Sequence, residues 1–276
     1  MAKISVSIFK YNLFRKFYMN DWALILGASS GFGAATCKEL AKAGINIYGI
    51  HLDRKAGMPK VEKLIAELKQ YNINVQFKNI SATDEKKRIE IINHLCEIKN
   101  INIKILMHSL AFGALKPMIA NDTMEKLKQN QVEMTLDVMA NSLIYWTQDL
   151  YKADLLHQGS HIFAMTSSGG HRQWKSYGAV SGAKASLESY CRQLALELSE
   201  VGISVNSIQA GVTDTPALRK IPGNEKMIES AIHNNPGKRL TIPEDVAKFI
   251  ALVGLSNESW MTGNNIRVDG GEDITG

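Results

Sequence analysis

Tyr177 and Lys184 stand seven residues apart, and Ser167 lies ten residues before the tyrosine. On a helix, a seven-residue step covers nearly two turns, so the phenol and the ammonium would share one face. A phenol is a poor acid at its reference pKa of about 10, and a neighbouring ammonium favours the phenolate and lowers that value. Such a phenol can exchange a proton with a carbonyl or enolate oxygen, and a serine hydroxyl can hydrogen-bond the same oxygen. A surface helix often carries Tyr and Lys by chance. This pair gains meaning from its order behind a predicted strand that ends in the hydroxyl cluster Thr166-Ser167-Ser168.

A second cluster precedes it. Gly27-Ala28-Ser29-Ser30-Gly31-Phe32-Gly33 follows a short apolar run and opens a predicted helix. Glycines let the backbone turn tightly and approach a pyrophosphate, whose charge then sits at the helix N-terminus. Ser29 and Ser30 add hydroxyl donors. An ordinary strand-to-helix turn would need one or two of these glycines, but placement after the first strand favours a dinucleotide cofactor. With such a cofactor, hydride transfer joins the phenol's proton transfer. After the second strand the chain reads His51-Leu52-Asp53-Arg54-Lys55. An acid there would hold ribose hydroxyls. Asp53 comes late for that role, whereas Arg54 and Lys55 can hold a 2′-phosphate. NADP(H) is therefore expected, NAD(H) is the alternative, and a solvated charged loop is the bland reading. No metal is expected.

These groups need a scaffold whose strands deliver them to one edge. Apolar patterning and glycine or proline punctuation predict strands at 22–26, 45–50, 75–80, 103–108, 161–166, 203–209 and 265–268. Helices are predicted at 34–42, 59–70, 84–99, 133–152, 177–200 and 243–255. Strands separated by helices pair in parallel with right-handed crossovers. The expected fold is α/β: a doubly wound Rossmann-type parallel sheet of about seven strands in a single domain, 20–276. In such sheets ligands bind beyond the carboxyl ends of the strands, which is where these residues fall.

Composition narrows the setting. The 276 residues are 45% hydrophobic and 21% charged, with a formal net charge of +5. The charges are interspersed, with no basic block to track a nucleic acid. No apolar run approaches the roughly 20 residues that span a bilayer. Cys37, Cys96 and Cys191 form no C-x-x-C pair and suit thiols in a reducing, cytoplasmic compartment. The stretch 1–19 carries Lys3, Lys10, Arg15 and Lys16 and no acid. It is read as an N-terminal extension folded against the domain, with Met19 as an alternative start. An organelle-targeting segment is the less favoured reading, because no small-residue cleavage site follows an apolar core.

Together these motifs resemble the short-chain dehydrogenases/reductases over about residues 20–272. The resemblance rests on Gly27-x3-Gly31-x-Gly33, on Ser167, Tyr177 and Lys184, on Ala210-Gly211 followed by Thr213 and Thr215, and on Arg267-Val268-Asp269-Gly270-Gly271. Mainstream members space Tyr and Lys four apart, where this chain has Ser181. The seven-residue spacing, His108-Ser109-Leu110-Ala111-Phe112-Gly113 after strand four, Asp137 in place of an active-site Asn, and Lys184-Ala185-Ser186-Leu187-Glu188 resemble the enoyl-acyl carrier protein reductases of bacterial fatty acid synthesis. Two departures keep a second reading open. The glycine turn is of the mainstream type, and Ser167 stands where enoyl reductases carry a second tyrosine.

The resemblance implies roles. Lys184 would also bind the nicotinamide ribose, Asn79 and Ile80 would border the adenine, and Ser109, Leu110 and Ala111 the ribose and nicotinamide. Thr213 and Thr215 would meet the nicotinamide amide and pyrophosphate, and Gly113 the substrate. The segment 215–240, with Pro216, Pro222, Gly223, Pro236 and Gly237, reads as a substrate lid whose Leu218, Ile221, Met227 and Ile228 would cover an acyl chain. The expected substrate is a trans-2-enoyl thioester, for which acyl carrier protein is the carrier that the resemblance suggests. A carbonyl reductase or alcohol dehydrogenase is the alternative. A non-catalytic dinucleotide sensor is the remote one, since it would have no reason to keep Ser, Tyr and Lys together. A homotetramer or homodimer is expected, with the helix at 177–200 as its interface.

Overall fold

Strand β1, Asn20–Leu26, divides its side chains between two cores. Ala23 and Ile25 face one side, while Trp22, Leu24 and Leu26 face the other. Successive Cβ atoms of a strand point to opposite faces, so a strand covered on both sides buries residues on both. Strand β4, Ile101–His108, shows the same state with all eight residues buried.

The computed structural model describes residues 20–122 and 124–275. The extension read at 1–19 lies outside the described residues. Helix α1 is Gly31–Lys42, followed by β2, Asn46–His51, and α2, Met58–Lys69, with its proline in the first turn. Then come β3, Val75–Asn79, and α3, Glu85–Cys96, capped by the Asp84 carboxylate on the Lys87 N–H. Beyond β4 the expected helix at 133–152 is two helices, α4, Gln129–Leu136, and α5, Ser142–Lys152. A π-helical turn, Asp137–Asn141, joins them. Strand β5, His161–Ser167, leads to α6, Gly178–Leu198, and β6, Ser204–Ala210. The chain ends through α7, Asn224–Asn234, α8, Pro243–Gly254, and β7, Asn265–Val268.

All seven strands are parallel, in the order β3-β2-β1-β4-β5-β6-β7. The two apolar layers fix which helices cover which face. Leu40 of α1, Leu64 and Leu68 of α2 and Ile250 of α8 fill one. Ile91 and Leu95 of α3, Leu143 and Trp146 of α5 and Leu187 of α6 fill the other. The strand order reverses between β1 and β4, and a crevice opens there beyond the carboxyl ends. No described helix is long and apolar enough to cross a membrane.

Candidate active site

Gly27 leaves β1 at φ +89°, in the left-handed region that favours glycine. A Cβ on it would lie 2.3 Å from the Ser109 carbonyl oxygen. That closeness reflects how β1 and β4 part: the Ser109 N–H donates to the Leu26 carbonyl at 2.8 Å. The Gly27 and Ala28 N–H groups donate to the Ile50 carbonyl, which places the end of β2 beside the same turn. A Cβ on Gly33 would stand 2.1 Å from the Gly27 oxygen, so helix and turn pack backbone to backbone. Gly31 has φ +52°, and its Cβ would meet only a Thr215 methyl, at 3.6 Å. The Ser30 side chain makes no cap bond to α1. The residues present therefore fit a pyrophosphate: an open, glycine-lined helix N-terminus whose first N–H groups the chain itself does not cap.

Gly33→Ala gives a clear test of that packing, because the clashing atoms are backbone and cannot swing away. The substitution is expected to cost on the order of 2 kcal/mol or more in stability, as strained sites do. It should also weaken dinucleotide binding at least tenfold in equilibrium titration. A variant with wild-type melting and binding would show that the turn is looser than this.

The Tyr177 ring and the Ser167 hydroxyl meet over Gly169. A Cβ on Gly169 would lie 2.5 Å from Tyr177 Cε1 and 3.1 Å from Ser167 Oγ. Glycine at 169 is thus what lets the phenol reach the end of β5, a requirement that the sequence reading did not single out. Tyr177 is the N-cap residue of α6 and not an interior helical residue. Burial raises its pKa above the ordinary phenol value, and the neighbouring Ser167 hydroxyl opposes this only in part. That reverses the depression expected from the Tyr–Lys spacing. The Lys184 ammonium instead donates to the Met165 carbonyl of β5 at 2.6 Å. Ser167 Oγ is buried beside the Tyr177 phenol, which it influences by hydrogen bonding, and no other group partners it among the described residues.

Lys184 itself is buried, and burial lowers its pKa to about 8, with Glu188 and Cys191 opposing the shift. A lysine depressed in the fold is protonated in both states below about pH 8. Between there and its unfolded value near 10.4, the unfolded chain holds the extra proton, so folding stability rises with pH. Lys184→Met should abolish that rise, a difference on the order of 3 kcal/mol between pH 8 and 10.5. Urea unfolding of both proteins across this range measures it. Parallel pH profiles would place the titration elsewhere.

Beside Lys184 lies a polar strip that the sequence reading treated only as motif. His108 is fully buried, and burial with the Lys184 charge lowers its pKa to about 3, so its imidazole is neutral. Ser142 Oγ donates to the Val138 carbonyl of the π-helical turn, so the 2.9 Å contact with His108 has Nε2–H as donor. That assignment leaves Nδ1 bare, and it is buried without a partner. Thr166 Oγ1 donates to Glu188 Oε1 at 2.6 Å. Asp137, read as the replacement for the mainstream Asn, accepts from the Tyr145 hydroxyl at 2.9 Å.

Other predicted residues fall as follows. Leu110 lies against Gly27, and Phe32 packs its ring on the α1–α8 core. Ile80 is half-buried at the end of β3, and Ala111 is exposed beyond β4. Asn79 turns its amide to the backbone of Asp53. Thr213 is buried, with its hydroxyl on the Gly211 carbonyl, and Thr215 Oγ1 accepts from the Leu218 N–H. Gly113 is closely packed: a Cβ would meet Thr135 and Val180 methyls at 2.7 and 2.8 Å. Leu218 and Ile221 are buried yet belong to neither core.

A glycine turn at the strand-order reversal, followed on β5 and α6 by Ser, Tyr and Lys, defines an NAD(P)-dependent oxidoreductase of the short-chain type. A family model described as enoyl-(acyl carrier protein) reductase matches residues 27–272, and the chain belongs to that family of short-chain dehydrogenases/reductases. It is 30% identical to an enoyl-acyl-carrier-protein reductase (NADPH) of Staphylococcus aureus, over 88% of this chain and 91% of that one. It is 26% identical to an acetoacetyl-CoA reductase of Allochromatium vinosum, over 90% and 97%. Among solved structures, the enoyl-acyl-carrier-protein reductase (NADH) of Aquifex aeolicus superposes with a TM-score of 0.79. It covers 94% of this chain and 98% of its own at 22% identity, a likeness of fold.

Proposed function

We propose that this protein is an NADPH-dependent reductase of the C=C bond of trans-2-enoyl thioesters. The observation that carries the reading is the placement of Tyr177 at the mouth of α6, with Lys184 seven residues on and anchored to β5. If Lys184 holds the nicotinamide ribose, a tyrosine seven residues before it stands about 4.5 Å farther along the axis than one four before it. Such a phenol reaches the oxygen of a conjugated thioester, which is more remote from the reacting carbon than a ketone oxygen is.

The chain's own groups supply the rest. When bound, the reduced nicotinamide supplies a hydride. As the hydride adds to the β-carbon, an electron pair moves onto the thioester oxygen. Tyr177 gives its proton to that oxygen, while the Ser167 hydroxyl donates a hydrogen bond to it. A phenol whose pKa burial has raised stays protonated at neutral pH, which is the form an acid catalyst needs. The glycine turn and the α1 N-terminus hold the pyrophosphate, with Thr215 beside them, and Ser109 and Leu110 line the floor.

The acyl chain has apolar company. Leu218 and Ile221 sit on the segment 215–240, which we read as the lid, and the Trp174 indole ties the β5–α6 loop to it through the Pro222 carbonyl at 3.2 Å. Met118 lies directly on Gly178, next to Tyr177, with Phe112 exposed in the same β4–α4 connection. Longer acyl chains should accordingly be better substrates than crotonyl. The substrate would be carried on coenzyme A or acyl carrier protein, in a cytoplasmic homotetramer or homodimer of fatty acid synthesis. Ser167, in place of a second tyrosine, and the mainstream glycine turn favour the carbonyl reductase as second reading. Comparing enoyl with 3-ketoacyl thioesters separates the two.

NADPH is supported by Arg54, an exposed residue three past the end of β2 whose guanidinium makes no hydrogen bond or ion pair among the described residues, while the β2 end itself lies beside the glycine turn. Arg54→Glu should raise KM for NADPH at least tenfold and that for NADH by less. A higher kcat/KM with NADH in the unmodified protein would show that Asp53 reaches the ribose.

A further inference from the structure

Asp53 is the one acid in the loop after β2, and the structure shows where its carboxylate goes. His51 Nδ1 stands 2.9 Å from Asp53 Oδ2. The His51 ring is buried at the end of β2, with the Phe77 ring 6.0 Å away, so its position is fixed by packing. The other carboxylate oxygen, Oδ1, lies over Gly57, where a Cβ would approach it to 2.9 Å. The Asp53 peptide is held from both sides by one side chain: its N–H donates to Asn79 Oδ1 at 3.0 Å, and Asn79 Nδ2 donates to its carbonyl at 2.9 Å. The carboxylate is therefore drawn back toward the strand end and the first turn beyond it, while the guanidinium of Arg54 next in sequence has no partner among the described residues.

We infer that His51 is a positioning residue for cofactor choice: it holds the Asp53 carboxylate away from the adenosine ribose and leaves that position to Arg54. The inference rests on the NADPH reading above. A free carboxylate at this place would accept from the 2′- and 3′-hydroxyls of NADH and repel the 2′-phosphate of NADPH. A carboxylate held back against the His51 imidazole keeps its charge but is turned away from both. Gly57 serves the same end from the opposite side, because only a residue without a side chain leaves room for Oδ1. Asn79 sets the loop backbone on which both contacts depend.

The test is equilibrium binding of NADPH and NADH, read by cofactor fluorescence with no acyl substrate present. The wild type should bind NADPH more tightly. His51→Leu, which keeps apolar bulk and removes the tether, should lower the NADPH preference at least tenfold. Gly57→Ala, at a half-buried position of ordinary backbone, should lower it at least threefold by displacing the carboxylate. Adding Asp53→Asn to either variant should restore the wild-type ratio, a rescue that general damage to the loop would not allow. A wild type that binds NADH more tightly overturns both the cofactor reading and the inference. A wild type that prefers NADPH, with ratios unchanged in His51→Leu and Gly57→Ala, overturns the inference alone. So does a shift that persists when Asp53→Asn is added.

Discussion

Tyr177→Phe is expected to lower kcat on the order of 10²-fold or more, the range of general acid–base groups, while leaving the fold intact. Phenylalanine keeps the ring that packs over Gly169 and against the core behind α6, and removes only the hydroxyl. Among the described residues, the one group that the hydroxyl meets is the Ser167 hydroxyl of the site itself, so its loss breaks no bond that holds an element in place. Thermal unfolding should therefore shift by little, and cofactor binding, which we assign to the glycine turn and Lys184, should be retained. The loss should fall on kcat more than on KM, as for an interaction made in the transition state. Wild-type turnover in this variant would mean that the proton comes from another group.

Much of the sheet is legible in the sequence because strands buried on both faces carry apolar residues on both. The run ending at Leu26 marks itself in this way, whereas β4 holds Asn102 and Lys104 and β6 holds Ser204, Asn206, Ser207 and Gln209, all buried. The helix break at Asp137–Asn141 is not legible in this way. No glycine or proline interrupts the pattern there, and two tertiary bonds meet the turn, His108 to Ser142 and the Tyr190 hydroxyl to Asn141 Oδ1 at 3.2 Å, beside the local bond of Ser142 to the Val138 carbonyl. Helix α7 lies inside a segment whose prolines and glycines read as loop.

Spacing brings Ser167, Tyr177 and Lys184 to one place, but spacing carries no dielectric. Whether the ammonium lowers the phenol's pKa depends on where Nζ points and how deeply both groups are buried. The Met165 carbonyl and the surrounding core decide both. The same limit applies at the β2 end. The sequence shows His51 two residues from Asp53, but the contact between them depends on Asn79 from another strand and on space left by Gly57.

The enoyl assignment makes the second large prediction. In a 3-ketoacyl thioester the hydride arrives at the carbonyl carbon itself, and the oxygen to be protonated is bonded to that carbon. In a trans-2-enoyl thioester the hydride arrives at the β-carbon, and charge collects on an oxygen two carbons further along the conjugated system. A proton donor fixed at the α6 N-cap serves one of these oxygens better than the other, because a misplacement of about 1 Å already costs on the order of 10²-fold. With Tyr177 and Lys184 seven residues apart, the enoyl oxygen is the one favoured. The same apolar surroundings, Leu218, Ile221 and Met118, meet the chain of either substrate, so they cancel in the comparison. What remains is the reach of the phenol.

The direct measurement is kcat/KM for a trans-2-enoyl thioester and for the 3-ketoacyl thioester of the same chain length, with the purified protein and saturating NADPH. The account predicts a ratio of at least ten in favour of the enoyl substrate. Efficient reduction of the ketone with no turnover of the enoyl thioester would contradict it and establish the carbonyl reductase reading instead.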